Sequence, residues 1–277
     1  MSTSLARPIA APRAAASAAH GGRPISKKVI STVVVLALLA LWAVPTTYGL
    51  VSPLFLPSPQ QMIEQTFVVV REGYAGATLW EHASASLFRV LLAFVIAASL
   101  AIPLGVGMGL SRWLDGIVAP VIEFYWPLPP LAYLPLVIIW LGIGETSKIV
   151  LLTAAMLPPI CLAAQAGVRS GPVERAQAAL SLGATPRQLF RLIALPSALP
   201  EIFTGLRIAM GVGWSTLVAA ELVAATKGVG FMILSASNFL ATDIVFIGIG
   251  VIAMLAIGCG TVIRLLERAF VPWRGHG

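Results

Sequence analysis

The chain alternates between long apolar runs and short polar stretches that carry its charges, a pattern that predicts membrane-spanning helices. A spanning helix needs about 20 mostly apolar residues, and six stretches of about that length carry few or no charges. We place the spans at about 29–45, 88–111, 117–143, 149–168, 207–226 and 244–263. The sequence therefore predicts an all-α, polytopic membrane protein.

Between the first two spans, residues 46–87 form a polar segment that is expected to lie along the outer membrane surface. Within it, Ser58 followed by Pro59 predicts the start of an amphipathic helix, because serine caps helix N-termini and proline suits the first turn.

The composition agrees with this class. Hydrophobic residues make up 58% of the 277 residues and charged residues only 10%, whereas a soluble domain carries roughly 25% charged residues. This excludes a soluble enzyme, a disordered chain and a secreted disulfide scaffold. Cys161 and Cys259 both lie inside apolar stretches, where cysteine acts as a small buried hydrophobe.

The lysines and arginines predict the orientation of the helices. Cytoplasmic loops carry an excess of basic residues, and a cytoplasmic N-terminal tail places fourteen of the eighteen basic residues on that side. The remaining four fall outside or at the outer rim: Arg71, Arg89, Lys148 and Lys227. Both termini are therefore expected in the cytoplasm, with residues 1–28 as a disordered tail. The net charge of +7 reflects this topology, so we expect no nucleic-acid partner.

No catalytic or cofactor motif accompanies the spans. The sequence lacks a GxxxxGK[ST] phosphate loop, an HExxH pair and a GxSxG turn. Its histidines, His20, His82 and His276, have no metal-ligand spacing, and we interpret His82 as an interfacial polar residue. We therefore expect no enzyme activity and no bound cofactor or metal in this chain.

Residues 169–206 form the one large cytoplasmic loop, and their pattern predicts two short helices with a fixed bend. Pro172 suits the first turn of the first helix, and Gly183 ends it because glycine adopts the left-handed conformation without a side-chain penalty. The second helix starts at once, with Thr185 as N-cap and Gln188 completing a capping box.

The second of these helices is predicted to end at Pro196 and Pro200, because proline removes a backbone donor from a helix. Such a hairpin could simply connect two spans along the membrane surface. Alternatively, a rigid pair of helices with small residues can dock in a groove of another protein.

The spacing within this loop resembles the EAA loop of ABC importer permeases, in which EAA is followed by three residues, a glycine, nine residues and I-x-L-P. Here Ala178 and Ala179 are followed by three residues and Gly183, and the I-x-L-P element stands at 193–196. The leading glutamate of the motif is Gln177 in this chain.

Glu174, one turn before Gln177, is the candidate replacement for the missing glutamate. In the family this loop docks on the ATP-binding subunit and carries force. The resemblance implies that the coupling residues are Glu174, Gln177, Ala178, Ala179, Gly183, Ala184, Phe190, Ile193, Leu195 and Pro196.

The resemblance extends over about residues 48–273 and is closest to the nitrate, sulfonate and taurine branch of these permeases. It implies a MetI-like permease domain over 29–277 in a bacterial cytoplasmic membrane, paired with a second copy of itself. It also implies two ATPase subunits that bind ATP and magnesium, and a binding protein that delivers substrate. Taurine is the implied substrate; other sulfonates, nitrate and bicarbonate are alternatives.

An ion-coupled secondary transporter is the alternative of another class. Such a transporter needs a duplicated half and a coupling site, and the sequence shows no repeat and only one carboxylate well inside a span. A membrane-embedded enzyme comes third, because it lacks a catalytic constellation.

Interrupted helices predict where substrate crosses, since irregular backbone at membrane depth must face protein or water. The segment EFYWPLPPLAYLP at 123–135 holds four prolines, and Pro158 and Pro159 predict a second break in the fourth span. Either interruption could also be a kink needed only for packing. The candidate path residues are Tyr125, Pro127, Pro129, Trp214, Ser215, Thr216 and Glu221.

Glu221 has three possible roles: binding the substrate ammonium, holding a neighbouring helix, or reaching water. A charge at the bilayer centre costs about 2.5–3.5 kcal/mol on insertion scales. Glycines at Gly105, Gly109, Gly211 and Gly213 are expected to let helices approach closely.

Overall fold

A computed structural model describes residues 27–171 and 173–273, and this part of the chain is helical without an extended strand. The predicted tail 1–28 lies outside the described residues apart from Lys27 and Lys28, which begin the first helix, and so does Pro172. The first six helices are α1 (Lys27–Thr47), α2 (Pro59–Glu72), α3 (Leu79–Leu110), α4 (Arg112–Tyr125), α5 (Pro130–Leu141) and α6 (Glu145–Arg169). They are followed by α7 (Val173–Ser181), α8 (Pro186–Leu189), a π-helical segment (Phe190–Ala194), α9 (Leu195–Ala224), α10 (Val229–Asn238) and α11 (Thr242–Phe270).

Within the described ranges, five helical segments are long and apolar enough to cross a membrane. A sixth crossing is formed if α4 and α5 count as one span, although the two helices meet at a bend of 103°. The helices reach beyond the predicted spans; α3, for example, begins at Leu79, where Thr78 and Glu81 form a capping box. Hydropathy detects only the apolar middle of such a helix, whereas the cap extends it into the polar region.

The centre of the molecule is built from α3, α6 and α9, which pack through small residues. A side chain at Gly105 would overlap the backbone of Cys161, and one at Gly109 would overlap Val168. A side chain at Gly213 would overlap Met156. The predicted close approach is therefore confirmed for these three glycines. It is wrong for Gly211, which has open space at the corresponding position.

The predicted break at Pro158 and Pro159 is wrong, because α6 continues through both residues as one helix. Pro158 has no N–H for the carbonyl of Ala154, four residues earlier. The hydroxyl of Tyr125 donates a hydrogen bond to that carbonyl at 3.0 Å. A side chain from α4 thus replaces one missing backbone donor, and the helix remains intact.

The segment after α1 follows its prediction. Ser58 and Gln61 form a capping box at the start of α2, with Pro59 in the first turn. Val69 on α2 is buried in an apolar cluster with α10 and α11. By contrast, most of the described side chains of α1 are exposed, and Trp42 donates from Nε1 to the carbonyl of Pro57 at 3.1 Å.

Candidate functional site

The first candidate site is the coupling segment, which we define as residues 173–194. Helix α7 ends in a Schellman motif: the N–H of Ala184 bonds to the carbonyl of Ala179 at 3.0 Å, and the N–H of Gly183 to Leu180 at 2.9 Å. Gly183 has a φ of 83°, which lies in the left-handed region that favours glycine. The bend predicted from sequence is thus formed by the expected residue.

The second half of the coupling segment starts at a capping box. The N–H of Thr185 donates to Oε1 of Gln188 at 2.8 Å, and the N–H of Gln188 donates back to Oγ1 of Thr185 at 3.4 Å. Helix α8 passes into the π-helical segment, whose first residue, Phe190, packs against a buried cluster of Val106, Ala164, Ala198 and Ile202. The coupling segment is therefore anchored to the membrane-spanning core through Phe190.

The predicted end of this helix at Pro196 and Pro200 is wrong. The π-helical segment leads directly into α9, so the predicted loop 169–206 contains the first twelve residues of that helix. The N–H of Leu195 bonds to the carbonyl of Phe190, five residues earlier. Pro196 therefore follows directly on the wider turn of the π-helical segment and does not end the helix.

The coupling segment presents a mixed polar and apolar surface. Leu182 is 89% exposed and Leu192 is 73% exposed. Of the motif residues, four are exposed: Glu174, Gln177, Ala178 and Gly183. The other six are partly buried: Ala179, Ala184, Phe190, Ile193, Leu195 and Pro196. The surface of the coupling segment therefore combines two exposed leucines with polar groups.

A second candidate site lies at the opposite end of α9, around the fully buried Glu221. Its Oε1 lies 2.5 Å from Nη1 of Arg89, and its two oxygens accept from Ser86 Oγ at 2.8 and 3.0 Å. The backbone N–H of Gly230 donates to Oε2 at 2.8 Å. Glu221 thus joins α9 to α3 and α10, which is the geometry of the helix-holding alternative.

Arg89 is also buried, and its contacts with Glu145 join α3 to α6. Its Nε and Nη2 atoms bond to the two oxygens of Glu145 at 2.5 and 2.8 Å, a bidentate pair. Lys148 lies 3.0 Å from the same carboxylate, and the carbonyl of Lys227 accepts from Nη1 of Arg89 at 2.8 Å. We call Ser86, Arg89, Glu145, Lys148 and Glu221 the Arg89 network.

The connection between α9 and α10 is held by the same face of α3. The N–H of Gly228 donates to Nδ1 of His82 at 3.1 Å, and Nε2 of His82 contacts the carbonyl of Tyr74 at 2.9 Å. These partners assign the ring proton to Nε2. The N–H of Val229 donates to Ser86 Oγ at 2.9 Å. The side chain of His82 is completely buried within the protein, where it joins α3 to the connection between α9 and α10.

The candidate path residues divide into two groups. Pro127 and Pro129 at the bend between α4 and α5 are exposed, and so is Ser215. The other four face the interior of the chain and are fully or partly buried: Tyr125, Trp214, Thr216 and Glu221. Among the described residues, Nε1 of the buried Trp214 has no hydrogen-bond partner.

Sequence reasoning missed Ser86, Arg89 and Glu145 as partners of the predicted intramembrane carboxylate. It counted Arg89 only as a basic residue at the outer rim. One signal was available, because a carboxylate in a span requires a partner and Arg89 lies in the predicted second span, with Ser86 one turn before it. The signal for Glu145 was weaker, since nothing local links it to Arg89, 56 positions earlier.

Comparison with known proteins shows the family to which the chain belongs. Residues 101–275 match the family model described as "Binding-protein-dependent transport system inner membrane component". The taurine transport system permease protein TauC of Escherichia coli (strain K12) is 52% identical over 91% of this chain and 93% of that protein. The putative aliphatic sulfonates transport permease protein SsuC of the same organism is 34% identical over 85% and 88% of the two chains.

Solved structures agree with the fold. An inward-facing MetNI methionine ABC transporter chain superposes with a TM-score of 0.55 at 16% identity, covering 73% of this chain and 98% of that chain. A chain of an amino acid ABC transporter gives a TM-score of 0.59, also at 16% identity, over 75% and 96% of the two chains. These comparisons confirm the predicted all-α, MetI-like fold.

The matching relatives are permease subunits, which confirms that the chain is a transport component and not an enzyme. Members of the family are multi-pass proteins of the inner membrane that work with an ATPase and a substrate-binding protein. The chain belongs to the inner-membrane permeases of binding-protein-dependent ABC transporters, in the sulfonate and taurine branch.

Proposed function

We propose that the chain forms one half of a homodimeric pore in an ATP-driven importer that carries taurine, 2-aminoethanesulfonate, into a bacterial cell. The sequence identity of 52% with a taurine permease, over 91% of this chain, supports this substrate. Lower similarity is less informative: a riboflavin transport system permease of Chloroflexus aurantiacus is 31% identical over 87% of the chain. Other aliphatic sulfonates are the second candidate, followed by nitrate and bicarbonate.

The coupling segment is the proposed docking site for the ATPase. Its support is geometric, since the Schellman motif and the capping box fix the angle between α7 and α8 while Leu182 and Leu192 remain exposed. Phe190 then links the docked helices to the bundle. A push on the coupling segment is therefore carried into α9 without an intervening flexible loop.

The proposed assembly contains two copies of this chain, two TauB-like ATPase subunits and one TauA-like binding protein. ATP and magnesium bind to the ATPase, and no cofactor belongs to this chain. Both termini and the coupling segment face the cytoplasm, as the fourteen basic residues on that side indicate. The Arg89 network then lies toward the side on which the binding protein delivers substrate.

Uptake in cells lacking their own sulfonate importers tests the proposal. Cells that produce this chain with its ATPase and binding protein receive labelled taurine, ethanesulfonate or nitrate. We expect taurine to accumulate, and only when all three proteins are present. Accumulation without the ATPase, abolished by collapsing the ion gradient, would favour the secondary transporter. Preferred uptake of another anion would replace taurine as the substrate.

The purified chain provides a second test. We expect no ATP hydrolysis by the chain alone and hydrolysis after the ATPase subunit is added. Hydrolysis by the isolated chain would contradict the assignment to a permease subunit.

A further inference from the structure

A basic concavity of about 480 Å³ lies between the first half of α9 and the last two turns of α11. It is lined by Arg207, Arg264, Glu267, Arg268, Val271 and Pro272. We propose that this concavity is a binding site for an oxyacid anion, a sulfonate or a phosphate group. The positive-inside rule explains why basic residues are frequent on the cytoplasmic side. It does not explain why three arginines from two helices line the same concavity.

One arginine of the concavity is held in place by the protein. Arg207 lies 3.1 Å from Oε2 of Glu267, whose side chain is largely buried. Arg207 also donates from Nη2 to Oγ1 of Thr204 at 3.3 Å. Because both contacts fix its position, Arg207 presents a pre-oriented guanidinium to the concavity, and less entropy is lost when an anion binds.

The other two arginines carry charge that the described part of the chain does not neutralise. Arg264 and Arg268 are exposed and stand four residues apart on α11, where like charges repel. Arg264 donates to Oγ1 of Thr261 at 2.8 Å, and neither arginine forms an ion pair with a described residue. An anion between them would relieve this repulsion.

The chemistry of the site selects an oxyacid. Guanidinium groups form paired hydrogen bonds with the oxygens of sulfonate and phosphate groups, while Val271 and Pro272 add an apolar wall suited to a short carbon chain. Two sources share this chemistry: a free sulfonate and the headgroup of an anionic phospholipid.

The position on α9 relates the first source to transport. Arg207 lies one turn before Gly211, and Gly211 and Ser215 are exposed on the same helix. A sulfonate at this site rests on the proposed function and would occupy the inner end of the path. The phospholipid source does not depend on that function.

The test compares two double variants that remove the same charge. Arg264→Gln with Arg268→Gln alters the concavity, and Arg71→Gln with Arg112→Gln removes two exposed arginines that do not line it. Each protein is purified with its ATPase partner in phosphatidylcholine nanodiscs. One arm measures binding of labelled taurine and ethanesulfonate without ATP; the other measures phosphatidylglycerol retained after lipid exchange.

We expect wild type and the Arg71/Arg112 variant to bind in at least one arm. The Arg264/Arg268 variant should bind about tenfold or more weakly in that arm, because two charge-assisted contacts are lost. The arm that responds identifies the source. Equal binding by both variants, or no binding by wild type in either arm, would overturn the proposal. The single variant Arg268→Gln, with an expected smaller loss, replaces the double variant if that protein unfolds.

This experiment is independent of uptake, because no transport step is measured. A chain that fails to import taurine but retains phosphatidylglycerol through these arginines would contradict the proposed function alone. Import of taurine with no anion binding at the concavity would contradict only the present inference.

Discussion

The carboxylate of Glu221 accepts hydrogen bonds from a serine, an arginine and a backbone amide on two neighbouring helices. All of these contacts are buried, so each polar group depends on the others for its partner. The substrate-binding alternative for Glu221 would require the carboxylate to leave Ser86, Arg89 and Gly230. A measurement of protein stability therefore distinguishes a helix-holding role of Glu221 from substrate binding.

We predict that Glu221→Ala lowers the stability of the permease. Removing one partner of a buried ion pair costs about 3–5 kcal/mol because the remaining charge stays buried, and Glu145 offsets part of this cost at Arg89. Thermal unfolding of the purified protein measures the loss. The control is Glu174→Ala, which removes an exposed carboxylate from α7. Unchanged unfolding together with lost uptake would instead assign Glu221 to substrate binding.

Gly228 provides an independent test of the same contacts. Its φ is 140°, and a Cβ atom at this position would overlap the carboxylate of Glu221. We expect Gly228→Ala to destabilise the protein by about 2–5 kcal/mol, because the variant combines backbone strain with overpacking against Glu221. Gly116→Ala on α4 is the control, because a Cβ there meets nothing within 4 Å. Equal unfolding temperatures for the two variants would contradict the observed packing at Gly228.

At the scale of the element, the coupling segment depends on one backbone conformation. Gly183 is left-handed, and a Cβ at that position has open space. A substitution there is therefore opposed by backbone strain and not by collision. Residues that tolerate the left-handed region, such as asparagine, should preserve the bend, whereas β-branched residues should not.

We predict that Gly183→Val inserts and folds but couples poorly. The left-handed penalty of about 1–2 kcal/mol is small for a bundle of this size and large for the angle between α7 and α8. Uptake should fall, and the ATPase should either associate weakly or hydrolyse ATP without transport; pull-down and hydrolysis assays separate these cases. Gly183→Asn is the matched variant and should retain most uptake. Normal uptake in Gly183→Val would show that 173–194 is only a connection.

Local signals made parts of this fold predictable. The caps at Ser58 and Thr185 and the turn at Gly183 each depend on residues within a few positions. The course of the helix through Pro158 was not predictable in this way, because the compensating donor is Tyr125 on another helix. A proline signals a possible break, but tertiary contacts decide whether the helix is interrupted.

The Arg89 network shows the same limit for the candidate site. Glu221 was identified from its own span, whereas its ion-pair partner lies 132 positions away. Hydropathy predicts that both residues lie in or near the membrane, but it does not predict that they contact each other. The motif residues of the coupling segment, by contrast, were predicted from their resemblance to the EAA loop, because the motif lies within one continuous stretch.

At the scale of the molecule, several candidate path residues lie on the surface of the described part of the chain. Within the described ranges, Ser215 and Gly211 on α9 are exposed, and the bend between α4 and α5 is exposed at Pro127 and Pro129. A second copy facing these surfaces would enclose them, which is the arrangement that the proposed homodimer requires.

We predict that two differently tagged copies of the chain purify together with the ATPase, in a ratio of one to one between permease and ATPase. A complex with one Gly183→Val copy should import more slowly than a wild-type complex, because one of its two docking sites is distorted. Recovery of only one tag after purification through the other would contradict the homodimer. The control is a mixture of the two proteins made after separate purification.

Helix α8, the π-helical segment and α9 form a continuous body, and 38 residues of it, Pro186–Val223, qualify as a single membrane crossing. At about 1.5 Å per residue, such a rod is about 57 Å long. A tilt of about 5° about one end displaces the other end by about 5 Å, by the same geometry. In the proposed importer, such a tilt would link movement near Phe190, at one end of the rod, to movement of Glu221 near the other. Coupling between two sites is reciprocal. If nucleotide binding to the ATPase changes the affinity for a ligand at the Glu221 end, that ligand changes the affinity for nucleotide by the same factor.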